Sequence, residues 1–175
     1  MTAEIAARFG GSKGTLYNYF RSKEELFEAF MAEVCRGPAA EIFGRLPPLG
    51  ESKDIRASLV ELGVSLLGFL LRDDMIALHR LVVAEAGRFP EIGRMFYEAG
   101  PKLGEARFTD YFQQAIEAGL VRADDPAMMG QRLKDLVLSD VYLRRLWGVL
   151  EPPRPVALRA HVDQSVGIFL AAFGV

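Results

Sequence analysis

Gly10-Gly11-Ser12-Lys13-Gly14-Thr15-Leu16-Tyr17-Asn18-Tyr19-Phe20-Arg21-Ser22-Lys23-Glu24-Glu25-Leu26 is the stretch that decides the fold: with the residues before it, it reads as two short helices joined by a tight turn and followed by a capped third. Ile5, Ala6 and Phe9 recur at helical spacing, and Gly10-Gly11 ends that helix because glycine tolerates the left-handed geometry of a sharp exit. Ser12 is a good N-cap for the next helix, its hydroxyl accepting from a free first-turn amide. From Ser12 to Phe20 two faces separate: Leu16, Phe20 and part of Tyr19 inward, Lys13, Thr15, Tyr17 and Asn18 outward. Ser22 and Glu25 form a capping box that opens a helix through Leu26, Phe27, Phe30, Met31 and Val34.

A short, polar and aromatic outer face suits a recognition helix, whose first residues touch base edges while hydroxyls and amides meet phosphate. On that reading Lys13, Thr15 and Tyr17 touch bases or the adjoining sugar-phosphate, Asn18 or Tyr19 touches phosphate, and Ser12 stands at the same edge as the cap. Lys23 falls in the first turn of the third helix, where a cation opposes the helix dipole; an arriving phosphate resolves that conflict. The charges agree: between residues 8 and 23 they are Arg8, Lys13, Arg21 and Lys23, with no acid, whereas the 175-residue chain carries a formal net charge of −2.

These residues resemble the signature of the TetR family of bacterial transcriptional regulators, in the form Ile5-Ala6, then Ser12 to Phe20, then Ser22-Lys23-Glu24 and Leu26. The resemblance implies a homodimeric repressor with a second domain that holds a small-molecule pocket. Two departures stand out. Gly11 replaces the family's usual valine and removes a small apolar contact from the turn. In the family another helix precedes this motif, whereas here Met1 stands inside what should be the first turn of the second helix, so Ile5, Phe9, Leu16 and Phe20 lack a packing partner. A longer native chain is therefore expected, visible as an intact mass above 19.4 kDa. Agreement with that mass favours the alternative, a helical dimeric ligand-binding or interaction protein that no longer binds DNA.

Half of the residues are hydrophobic, and a mean hydropathy of +0.13 allows a substantial core in one or two small domains. The single cysteine, Cys35, excludes an internal disulfide and suits a reducing cytoplasm. No secretory signal is visible, and the longest greasy run, Leu59 to Leu71, is interrupted by Glu61 and falls short of the ~20 residues of a membrane span. The expectation is a soluble cytoplasmic protein with no membrane partner.

After Val34 the helix should end or kink at Gly37-Pro38, with a short helical piece resuming through Phe43. Leu46-Pro47-Pro48-Leu49-Gly50 is the candidate linker. It divides a helix-turn-helix DNA-binding domain, residues 1–46, from a larger ligand-binding and dimerisation domain, residues 51–175. Ile55, Leu59, Leu62, Leu66, Phe69 and Leu70 predict a long helix with one wide apolar face. Asp73 or Asp74 caps the next, which runs to about Arg88 and is broken by Phe89-Pro90. A helix from Glu91 ends at Gly100-Pro101, and another through Leu103, Phe108 and Ile116 stops at Gly119. Asp124-Asp125-Pro126 starts a helix that reaches Leu146-Trp147, and a last one follows Pro155 through Phe173. No stretch alternates as a strand would, so the fold class is all-α.

Phe89 to Gly100 and Gly119 to Pro126 look similar to the AefR-like C-terminal subgroup of the same family. By that resemblance the last two helices pair with their copies in a second subunit as a four-helix bundle, giving Leu133, Val137, Val141, Val162, Val166, Phe169 and Phe173 as interface candidates. The plain alternative is that they cover the chain's own core. Met75, Leu78, His79, Phe96, Tyr97, Tyr111, Phe112 and Trp147 lie on helices that in the family surround a cavity, and are the pocket candidates for an unknown small-molecule effector. Aromatics at helical spacing also serve any bundle core, and His79 could equally be satisfied by a carboxylate such as Glu85.

Enzyme readings fail. Gly10-x-Ser12-x-Gly14 fits the nucleophile-elbow expression, yet the elbow needs a strand before the serine and a helix precedes this one. Two histidines far apart and one cysteine offer neither metal-ligand spacing nor a Cys-His pair, and no phosphate-cradling loop follows Gly10-Gly11. No cofactor or metal is expected; the expected partners are a double-stranded DNA operator, a second copy of the chain and the effector.

Overall fold

A computed structural model describes residues 54–175 of the protein. The recognition residues Ser12 to Lys23, the helices around them and the Leu46-Gly50 linker lie outside the described residues. Six helices follow in order: α1 (Ile55–Leu70), α2 (Asp73–Ala86), α3 (Pro90–Ala99), α4 (Pro101–Glu117), α5 (Pro126–Leu146) and α6 (Pro155–Phe173). Among the described residues extended pairing is limited to an isolated bridge between Val121 and Gly174.

The helix boundaries follow local chemistry. Asp54 caps α1, its carboxylate accepting from the Ala57 amide at 3.0 Å. Asp125 caps α5 by accepting from Ala127 and Met128, with Pro126 at the first helical position. Gly119, at φ +67°, takes the left-handed turn that closes α4. The expected cap of α2 differs: Arg72 holds the cap position, and Asp73 and Asp74 sit inside the first turn, where two acids complement the helix dipole.

The core is shared by four helices. Leu59, Leu62 and Leu67 of α1 meet Phe108, Phe112 and Ala115 of α4, Met129, Leu133 and Val137 of α5, and Val162, Val166 and Phe169 of α6. Two glycines permit the closest approaches. A Cβ at Gly63 would stand 2.6 Å from Val162 Cγ1, and one at Gly130 2.6 Å from Phe108 Cβ, so α1 meets α6, and α4 meets α5, at backbone range. Arg56 makes a forked bond from α1 to Asp163 of α6, and Arg159 reaches Glu61. Exposed pairs of this kind contribute little stability and mainly keep the two helices in register. Arg80 ties α2 to the end of α5 by donating to the Leu146 and Arg145 carbonyls, while Arg145 pairs with Asp73.

Helix α5 is kinked at Ser139, whose backbone stands at φ 42°, ψ −147°. Turning that peptide away leaves carbonyls one turn earlier in need of other donors, and α6 supplies them: His161 Nε2–H donates to Val137 O at 2.9 Å, and the Ser165 hydroxyl lies 3.0 Å from Leu136 O. A backbone outlier costs about 1–3 kcal/mol, and glycine in a helix loses about 0.5–1 kcal/mol relative to alanine. Strain relief wins. Ser139→Gly should therefore stabilise the protein by about 1 kcal/mol and raise its melting temperature by about 2–4 °C, measured by circular dichroism; a lower melting temperature would show the kink to be unstrained.

Candidate ligand cavity and subunit face

A cavity of about 370 Å³ opens between the first five helices. Leu66, Phe69 and Leu70 of α1, Met75, His79, Val82 and Val83 of α2, Phe96 of α3, Phe108 of α4, and Leu138 and Tyr142 of α5 make an apolar wall. Glu105 and Lys134 stand at one side of it, 3.9 Å apart as an ion pair, and the Tyr97 hydroxyl donates to Glu105 at 2.8 Å. The size falls within the range of pockets that take small organic ligands.

His79 is a half-buried polar group within the apolar wall. Its ring lies edge-on to Phe96 at 4.9 Å and to Tyr142 at 5.5 Å, and burial pushes its pKa down to about 4, so the imidazole is neutral near pH 7. Nδ1 is buried without a hydrogen-bond partner; Glu85 does not satisfy it. Burial also raises the Tyr142 hydroxyl above its ordinary value.

Of the sequence candidates, the fold brings Met75, His79 and Phe96 together in this wall. Leu78 is buried but lines no part of the cavity, and Tyr97 is exposed with its hydroxyl turned to Glu105. Tyr111 and Phe112 belong to the main core: Phe112 packs on Phe169 at 5.2 Å, and burial pushes the Tyr111 hydroxyl up to about 12. Trp147, at the C-terminal end of α5, is 68% exposed and outside the cavity. Phe69, Phe108, Leu138 and Tyr142 went unmarked because nothing in a periodic helix tells which apolar residues border a void.

The interface candidates divide in the same way. Leu133, Val137, Val162, Val166 and Phe169 are almost completely buried within their own subunit, and Val141 and Phe173 pack partly against that core. Phe169 and Phe173 also line a groove on α5 and α6, whereas the other five are taken up by the packing of one subunit. The two helices together line this groove of about 590 Å³, with Met128, Arg132, Asp135, Leu136 and Ser139 from α5 and Gln164, Ile168, Phe169, Ala172 and Phe173 from α6. Ile168 is 60% exposed there. By length and composition α6 is apolar enough to cross a membrane, and its apolar residues are divided between the core side and this groove.

Six helices with an apolar cavity and an uncovered helical face have the architecture of the C-terminal domain of a bacterial transcriptional regulator. The chain belongs to the TetR family: residues 57–175 match the AefR-like transcriptional repressor C-terminal domain, and residues 1–30 match the family's own sequence model for tetR-type bacterial regulatory proteins. Regulators of this family bind operator DNA and act as dimers. The structure is similar to that of a TetR-family transcriptional regulator from Mesorhizobium loti, with a TM-score of 0.87 and 29% identity over 100% of this chain and 87% of the other. It is also similar to the flavonoid-responsive regulator FrrA, with a TM-score of 0.73 and 27% identity over 94% of this chain and 82% of that one. A regulator from Pseudomonas syringae pv. tomato shares the fold at a TM-score of 0.71 and 24% identity, over 100% of this chain and 86% of the other. No curated protein matches the chain.

Proposed function

We propose that the protein is a cytoplasmic repressor that holds its operator as a homodimer and is released by a small lipophilic effector. The observation that carries this reading is the apolar cavity against α5, the helix whose other side lines the uncovered groove. Leu138 and Tyr142 face the cavity, while Leu136 and Ser139 face the groove. A ligand that wedges the cavity side therefore acts on the helix through which two subunits would touch. Recognition helices must lie about 34–36 Å apart to enter successive major grooves, and an effector that fits only a differently spaced form draws the population off DNA. The responsiveness of FrrA to flavonoids supports an aromatic effector.

The DNA-binding surface in this reading is the one read from sequence: Ser12, Lys13, Thr15, Tyr17, Asn18, Tyr19 and Lys23. The match over residues 1–30 favours it over a helical dimer that has lost DNA. Selection from random duplexes, with and without lipophilic aromatic compounds, tests the proposal: it expects an enriched two-fold site lost when an effector is added. Lys23→Ala should weaken binding to all duplexes alike and reduce the salt slope by about one. Failure to enrich any site would sink the repressor reading, and an unchanged slope would remove Lys23 from the interface.

A further inference from the structure

The geometry points to His79 as the residue that selects the effector, and to a neutral aromatic molecule bearing a hydroxyl group as what it selects; this rests on the cavity reading above. Among the described residues three buried side-chain polar atoms lack partners, His79 Nδ1, Tyr111 Oη and Arg145 Nε, and His79 alone of these residues lines the cavity. Buried polar atoms are nearly always bonded, so an orphan in an apolar cavity wall marks a place where a bound molecule completes the pairing. The ring is pinned between Phe96 and Tyr142 and cannot turn to solvent without losing both contacts. Its orientation is preset.

The chemistry of the missing partner follows from charge. Near pH 7 the buried imidazole is neutral, with one nitrogen a donor and the other an acceptor. A hydroxyl, both donor and acceptor, pairs with Nδ1 in either tautomer. Among the described residues that line the cavity a carboxylate would find no free cation, since Lys134 is balanced by Glu105. A cation would find Glu105 already engaged by Tyr97 and Lys134. The rest of the wall asks for apolar and aromatic surface, and about 370 Å³ is at the small end for an organic ligand, which suits a molecule of two or three rings.

Calorimetric titration of the full chain with para-phenylphenol and with biphenyl, two probes that differ by one hydroxyl, tests the assignment. The phenol is expected to bind about tenfold tighter or more, because only it satisfies the orphan nitrogen. His79→Phe should bring the two probes within about twofold of each other while biphenyl binding persists, and His79→Gln, which restores a donor and an acceptor, should recover part of the preference. A hydroxyl preference that survives in His79→Phe overturns the role of His79. If neither probe binds the native protein, the cavity reading itself fails and takes this inference with it.

Discussion

Ile168→Glu is expected to convert the protein into folded monomers and to lower its affinity for an operator by about 10²–10⁴-fold, the gain that linking two binding modules ordinarily provides. Ile168 lies on the groove side of α6 and is 60% exposed in the isolated subunit, so its replacement removes little from the core. In a two-fold interface the same patch serves both subunits, and the substitution places two carboxylates in one seam that already holds Asp135 beside Arg132. Desolvating two added carboxylates, with one arginine and one aspartate per subunit already in the groove, and losing the isoleucine contact together cost several kcal/mol, enough to dissociate a dimer of ordinary strength. Val156→Glu is the matched control: Val156 is 83% exposed in the first turn of α6, outside the groove lining, where an acid also suits the helix dipole. Sedimentation equilibrium should find the first variant monomeric and the second dimeric, both with native helical circular dichroism. A dimeric Ile168→Glu protein would move the subunit contact to another face.

The groove came from the structure, and the reason is visible in α5 and α6 themselves. Period alone placed both helices, and Asp125-Pro126 fixed the start of α5 to the residue. Period cannot rank two apolar sides of one helix. Val137 enters the core and its neighbour Leu136 faces the groove, a difference set by what α1 and α4 bring against them. The kink at Ser139 was likewise illegible, because Leu138-Ser139-Asp140 carries no glycine or proline, and the donors that accommodate the bend, His161 and Ser165, arrive from another helix. What the sequence did expose was the set of chain-local signals: capping carboxylates, helix-starting prolines and the left-handed Gly119. Met75 and His79 of α2 and Phe96 of α3 line the cavity, whereas Phe112, equally aromatic, belongs to the core.

Phe112→Ala is expected to be among the most destabilising single truncations, at about 3–5 kcal/mol. The side chain is fully buried and joins α4 to α6 through Phe169, whose ring in turn lies 4.8 Å from Phe173. Against a total stability of about 5–15 kcal/mol, that loss removes about a fifth or more of what holds the subunit together and lowers the melting temperature by about 6–20 °C. Phe112→Leu, which keeps much of the volume, should cost under about 1.5 kcal/mol. The comparison with Trp147 is informative because both are large aromatics at plausible pocket positions, yet Trp147 is mostly exposed, so Trp147→Ala should leave urea unfolding of the subunit nearly unchanged. If Phe112 lined the effector cavity, its loss would also weaken the stabilisation that para-phenylphenol gives. Because it belongs to the α4–α6 core, the added ligand should raise the melting temperature of Phe112→Leu by the same amount as that of the native protein, whereas in His79→Phe the increment should shrink. Equal shrinkage in both variants would place Phe112 in the ligand site and dissolve the distinction between core and cavity drawn from the packing.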